Sequence, residues 1–434
     1  MPEVTIRKTE NLKGQVCAPP SKPYTQRMTI AAALSNGASK LSNPLLSEDT
    51  EATLRAAEAL GAKVEATGDC WTIEGATPVK GAKKPIDCGE SGATLRFMIP
   101  VAALAAKPSV FVLGEGLAKR PVKPLLDSLK QIGANATVKT VRGKTSVRVE
   151  GGGIQGGKTT MPGDVSSQFV SGLMFACPFA KADTNLTMTS LLESKSYVLM
   201  TENVLSKHGI KVDISEDFNK IKIPAKQIYQ PVDSKVPGDF SSAAFLLGAA
   251  AITNSKVTLK NLDYGSIQGD KIIMRILQQM GVNGKVCVDQ IEIEGNGGFL
   301  NAVDIDARDI PDLVPVCAAL ACYANGTTKI HDAERLKLKE SDRLTSLFFE
   351  LRKMGADIAA EESSLTINGP CNLHGATIDS HNDHRIAMAC SVAALRAEGE
   401  TVIQSAECVR KSYPQFFNDL RTLGVDLVGG QFDR

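Results

Sequence analysis

The chain has 434 residues, of which 43% are apolar and 22% charged; this balance excludes a disordered chain, and the length calls for two domains of roughly 200 residues each. A net charge of +1 excludes a general nucleic-acid or membrane-binding surface, so any strong positive field must be local. Ten cysteines occur without a CxxC pair, and Cys177, Cys317, Cys322 and Cys390 sit in Ala-rich stretches as small core residues, so neither a disulfide nor a zinc site is expected.

The opening MPEVTIRKTENLKGQV has neither the apolar core of a signal peptide nor the Arg-rich pattern of a transit peptide. Apolar runs such as Phe245 to Ile252 are far short of the roughly 20 residues of a membrane span, so a cytoplasmic protein is expected. Val4 to Arg7 reads as a lone strand. The polar SKPYTQR (21 to 27) then leads into MTIAAALSNG (28 to 37), an Ala-rich stretch without charge, and a further helix stops at Leu60-Gly61-Ala62. KVEATGDCWTIEG (63 to 75) alternates on both sides of a turn, the pattern of a hairpin.

This order returns along the chain. CGESGATLR (88 to 96) precedes FMIPVAALAAK (97 to 107), then the loop LAKRP (117 to 121), a helix stop at Gly133 and a hairpin over 136 to 152. GDVSSQ (163 to 168) precedes SGLMFACPFA (171 to 180), followed by ESKSY (193 to 197), a stop at Gly209 and a hairpin over 211 to 223. GDFSS (238 to 242) precedes AAFLLGAAAI (243 to 252), with a stop at Gly281. RDIPD (308 to 312) precedes LVPVCAALACYANG (313 to 326), then KLKESDR (337 to 343) and a helix whose Leu344, Leu347, Phe348, Leu351 and Met354 share one face before Gly355. NDHR (382 to 385) precedes IAMACSVAAL (386 to 395), then VRKSYP (409 to 414) and a last stop at Gly424.

The six stop glycines are separated by 72, 76, 72, 74 and 69 residues, so the chain is six copies of one unit. Each copy offers a helix apolar all round, an amphipathic helix and a few strands, an α/β (α+β) fold. The sixth copy is short of a strand, which the N-terminal strand completes. Boundaries at Pro19-Pro20 and Pro237-Gly238 then give one domain of copies one to three (21–237) and another of residues 1–20 plus 238–434.

The six polar clusters stand just ahead of the buried helices, as caps. A helix N-terminus carries unpaired N–H groups and about half a positive charge, so with Lys22, Arg27, Arg96 and Arg385 added, the pattern describes a place for a polyanion. Asp312 and Glu340 are carboxyls suited to acid and base work. Alone, Ser-Ser-Gln reads equally as a helix cap and Asp-His-Arg as a surface ion pair, while His208, His331 and His374 read as surface or packing residues. GEGLAKRP lacks the pattern of a phosphate loop.

Taken in order, the clusters resemble the EPSP synthase family of enolpyruvyl transferases over essentially the whole chain. The resemblance implies two domains, each of three βαβαββ units with buried Ala-rich helices, the inside-out α/β barrel, with the active site between the domains. It implies transfer of the enolpyruvyl group of phosphoenolpyruvate to the 5-hydroxyl of shikimate 3-phosphate, without metal or organic cofactor, by a protein expected to be a monomer. By the same resemblance Lys22, Arg27, Ser166, Ser167, Gln168, Ser194, Tyr197, Asp312 and Lys339 would bind shikimate 3-phosphate. Lys22, Gly92, Arg120, Gln168, Arg343, His384, Arg385 and Lys411 would bind phosphoenolpyruvate. Asp312 would be the base on the 5-hydroxyl and Glu340 the proton donor to the methylene carbon, with Lys22 and Lys411 counted among the catalytic groups.

Three positions depart from the family pattern. Pro23 replaces a serine that helps to hold the shikimate carboxylate, Glu90 stands where many members have asparagine, and Arg335 where some have asparagine. Two other readings stay open. A sister transferase acting on UDP-N-acetylglucosamine shares the fold but relies on an N-terminal Lys-Asn pair and a loop cysteine, where this chain has Ser21-Lys22-Pro23 and EGLAKRP. A non-catalytic binding protein on the same scaffold is kept open by Pro23.

Overall fold

The computed structural model describes residues 2–432. The chain forms two compact units: an inserted unit, Ser21–Val236, and a terminal unit, Met1–Pro20 with Pro237–Arg434.

Among the described residues twelve α-helices alternate in kind along the chain. The inserted unit holds α1 (Lys22–Ala33), α2 (Glu48–Ala59), α3 (Gly92–Ala103), α4 (Lys123–Gln131), α5 (Ser167–Ala176) and α6 (Lys195–Lys207). The terminal unit holds α7 (Phe240–Ile252), α8 (Ile273–Gln279), α9 (Val314–Ala321), α10 (Arg343–Lys353), α11 (His384–Ala394) and α12 (Phe416–Thr422). Odd-numbered helices are buried nearly all round. In α7 no charged residue occurs and every side chain is buried, because a helix without a polar face has no reason to meet water. Even-numbered helices keep one wet face: in α10 Leu344, Leu347 and Leu351 are buried, whereas Phe349 is exposed.

Each amphipathic helix ends at a glycine in the left-handed region, from Gly209 at φ +79° to Gly61 at +110°. A side chain there would be strained, which is why the same residue recurs six times.

Among the described residues each unit contains three sheets. In the inserted unit, strand Ala38–Ser42 pairs with the hairpin Lys63–Thr67 and Cys70–Glu74, and Ser234–Lys235 adds in parallel on its other side. In the terminal unit the N-terminal segment supplies two strands. Glu3–Arg7 lies antiparallel between Glu400–Gln404 and Leu427–Gly429, taking the place of the sixth copy's missing strand. Asn11–Cys17, which the sequence pattern does not announce, runs parallel to Asn254–Lys260 in the fourth copy's sheet. Inside these sheets α7, α9 and α11 pack on one another, and Phe245, Leu320 and Val392 are fully buried.

Side-chain caps begin five of the buried helices: Ser21, Ser91, Ser166, Asp239 and Asp383. The expected sixth cap is absent. Helix α9 starts from Leu313 without a side-chain cap, and Asp312, just before it, is held by cations instead.

Candidate active site

In the inserted unit, hydrogen bonds tie the N-terminal ends of α1, α3 and α5 together. Gln26 of α1 donates to Ser91 Oγ at 3.2 Å, and Arg96 of α3 donates to Gln168 Oε1 of α5 at 2.7 Å. Arg27 is buried. Its guanidinium donates to Thr201 Oγ1 (2.8 Å) and to the carbonyls of Pro23 and Tyr197 (both 3.1 Å), with the rings of Phe97 and Tyr197 beside it. These partners are neutral, so nothing among them cancels the charge. Burial lowers the Arg27 pKa to about 10, against the Tyr197 and Tyr24 fields that raise it, and the side chain stays cationic at neutral pH.

Around it, Ser166 caps α5 by accepting from the Gln168 N–H at 3.3 Å, and Ser167 opens the helix. Ser194 has left-handed backbone (φ +54°) immediately before α6 and is buried, and Tyr197 lies in the first turn of that helix. Lys22 is paired with Asp49 Oδ2 at 3.0 Å. Gly92 is the first residue of α3, and a Cβ built there would come 3.0 Å from Nη1 of Arg120. Pro23 occupies the first turn of α1, where the missing N–H breaks no helix bond.

In the terminal unit the corresponding place is crowded with charge. Arg343 is 1% exposed and spans three carboxylates: Asp383 (2.8 Å), Asp312 (2.9 Å) and Glu340 (2.8 Å). Asp312 also receives Lys339 at 3.4 Å and Arg385 at 3.2 Å, and its carbonyl accepts from Arg385 Nη1 at 3.1 Å. Burial alone would raise the Asp312 pKa, but Arg385, Lys339 and Arg343 outweigh it and hold the carboxyl well below the usual range. Burial lowers the Lys339 ammonium to about 8, with Arg343 and Arg335 adding to the shift and Asp312 and Glu340 opposing it. Lys411 donates to the carbonyl of Asn382 at 2.6 Å, and His384 is buried at the start of α11. Asp383 and Arg385 are buried too, so Asp-His-Arg is no surface ion pair.

Each unit therefore gathers its share of the expected residues: Lys22, Arg27, Gly92, Arg120, Ser166, Ser167, Gln168, Ser194 and Tyr197 in one, and Asp312, Lys339, Glu340, Arg343, His384, Arg385 and Lys411 in the other. Sequence reasoning assigned no role to Asp49, Thr201 or Asp383. Asp383 lies inside a motif that could have pointed to it, but Asp49 and Thr201 reach their arginine and lysine partners only through folding. Glu350 is another. Buried in α10, it accepts from His381 Nε2 (2.9 Å) and the Asp379 N–H (3.0 Å), which fixes the turn leading to Asn382 and Asp383.

A family model described as EPSP synthase (3-phosphoshikimate 1-carboxyvinyltransferase) matches residues 6–420. A protein of Methanocaldococcus jannaschii named 3-phosphoshikimate 1-carboxyvinyltransferase is 41% identical over 425 residues, covering 97% of this chain and 98% of its own. One of the same name from Methanocella arvoryzae is 43% identical, covering 95% and 96%. Among solved structures, the EPSP synthase of Acinetobacter baumannii superposes with a TM-score of 0.83 at 27% identity, over 99% of this chain and 100% of that one. The enolpyruvyl transferase NikO of Streptomyces tendae, at 20% identity, has a TM-score of 0.80 over 98% of each chain and shares the fold. With the family pattern matched across nearly the whole chain, the protein belongs to the EPSP synthase family.

Proposed function

We propose that this protein transfers the enolpyruvyl group of phosphoenolpyruvate to the 5-hydroxyl of shikimate 3-phosphate, releasing phosphate. The observation that carries the reading is the Asp312–Arg343–Glu340 network, in which two carboxylates suited to opposite proton transfers share one buried arginine. Glu340 gives a proton to C3 of phosphoenolpyruvate as the 5-hydroxyl oxygen bonds to C2 and its proton passes to Asp312. A C3 proton then returns to Glu340 as phosphate departs, restoring the double bond, and the hydroxyl proton held by Asp312 leaves with the phosphate.

The charge pattern fits such a cycle. With three cations on it, Asp312 is a weak base. Arg343 and Arg385 are the groups that would turn to the carboxylate and phosphate of phosphoenolpyruvate, and each bond they release raises the basicity of Asp312 when it is needed. Lys339 and Lys411 supply further positive charge. In the inserted unit, Arg27 with its neutral partners would take the shikimate carboxylate, and Ser166, Ser167 and Ser194 the 3-phosphate, beside Gln168 and Tyr197. Lys22 would serve both substrates, and Gly92 and Arg120 phosphoenolpyruvate. The proposed chemistry rests on acid, base and electrostatic groups alone, in a cytoplasmic monomer.

The test is phosphate release by the purified protein with phosphoenolpyruvate, offering shikimate 3-phosphate or UDP-N-acetylglucosamine as acceptor. Release that requires shikimate 3-phosphate and vanishes in Asp312→Ala is expected. Release with the nucleotide sugar alone, or none with either, overturns the reading.

A further inference from the structure

The loop that carries Arg120 is tied down by a residue outside the expected binding set. Arg120 follows a 3₁₀ turn, Leu117–Lys119, whose first N–H groups need partners from elsewhere. The Glu90 carboxylate supplies both: Oε1 accepts from the Gly116 N–H at 3.1 Å and Oε2 from the Leu117 N–H at 2.6 Å. Behind it the Gly114 N–H donates to the Gly89 carbonyl at 2.8 Å, a second tie between the same two segments. The space is shaped for that carboxylate, since a Cβ built on Gly114 would lie 2.2 Å from Oε1 and one built on Gly116 2.7 Å from Oε2. Two residues beyond Glu90 stands Gly92, against which the Arg120 guanidinium lies.

We propose that Glu90 is a positioning residue for Arg120, clamping the 114–120 loop to the start of α3 so that the guanidinium is set over Gly92 before phosphoenolpyruvate arrives. A carboxylate accepting two backbone N–H groups makes charge-assisted bonds at both oxygens. In an asparagine or glutamine one of these two positions becomes an NH2 group, a donor that faces a backbone N–H and cannot accept from it. The inference rests on the function proposed above, and it adds a determinant of affinity for phosphoenolpyruvate that touches neither substrate.

The experiment combines steady-state kinetics with amide hydrogen exchange on the full chain. Glu90→Ala is expected to raise the KM for phosphoenolpyruvate about tenfold, with the KM for shikimate 3-phosphate unchanged and kcat within about twofold. Glu90→Gln should recover part of the loss. Gly116→Ala should reproduce it, because Gly116 has helical backbone (φ −69°) that tolerates alanine and only the carboxylate stands in the way. The two changes together should cost little more than either alone, as expected when both break one contact. Exchange in Glu90→Ala should quicken over residues 114–120 and not across α3. A KM for phosphoenolpyruvate like that of the wild type, equal rises in both KM values, or exchange unchanged over the loop each overturns the proposal. If wild-type protein itself releases no phosphate, the function falls, and the exchange result still decides whether Glu90 holds the loop.

Discussion

The buried helices of the inserted unit begin under serines, Ser21, Ser91 and Ser166, whereas α7 and α11 of the terminal unit begin under aspartates, Asp239 and Asp383. A serine cap meets one N–H group and leaves the positive end of the helix in place. An aspartate cap cancels part of that field. The buried arginines follow the same division: Arg27 has neutral partners, while Arg343 is held by three carboxylates. Two arrangements descended from one repeated unit have thus become different instruments. On the proposed reading the inserted unit would be a standing anion receptor, and the terminal unit a network of acids and bases whose charges an arriving anion would rearrange.

The comparison predicts different kinetic signatures, and the largest effect belongs to the terminal unit. Asp312→Asn keeps the shape and removes the base, and should lower kcat for phosphate release by about a hundred- to ten-thousandfold with little change in either KM. A variant that raised KM and spared kcat would show Asp312 to be a binding residue only. In the inserted unit, Arg27→Ala should raise the KM for shikimate 3-phosphate by about ten- to a hundredfold, the worth of a charge-assisted bond, and leave kcat nearly untouched. A collapse of kcat in Arg27→Ala would erase the distinction between the units. Pro23→Ser sharpens it. Restoring the hydroxyl and the N–H should lower the KM for shikimate 3-phosphate about fivefold, and an unchanged value would mean that Arg27 does the holding without help.

The fold was legible because the repeat is written in glycines and alanines. Gly61 and Gly355 stand where only a left-handed residue ends the helix, and the alanines of α7 and α11 mark helices without a wet face, so both patterns survive in one sequence. The strand Asn11–Cys17 was not legible. Its burial pattern shows only two inward residues, Leu12 and Val16, and its place depends on pairing with Asn254–Lys260, more than two hundred residues away. Among candidate site residues the motifs carried the arginines and Asp312, but their partners were hidden. Thr201 lies on the buried side of α6 with no local pattern to set it apart, and Asp49 looks like one more acid in the first turn of α2. Such groups are defined by what they meet after folding.

The smallest effect concerns the expense of crowding carboxylates. Asp270 is buried in the terminal unit, with Oδ2 accepting from the hydroxyl of Ser241 and Oδ1 without a partner among the described residues. Burial raises its pKa from 3.8 to about 7, helped by the fields of Asp312 and Asp239 and opposed by Ser241 and Arg385. Between about pH 4 and 7 the folded protein therefore keeps a proton that the unfolded chain has released. Stability from this residue is fully present below the lower value, declines through that window, and stays reduced above it. Asp270→Asn removes the titration while keeping the shape. The variant should melt at a higher temperature than wild type at pH 8, and the difference should shrink as the pH is lowered to 5. The same ΔTm at both pH values, or a variant less stable at pH 8, would show that the ionised Asp270 is stabilised by its surroundings. In that case the terminal unit would carry its carboxylates at no cost, and the contrast with the serine-capped unit would be one of chemistry alone.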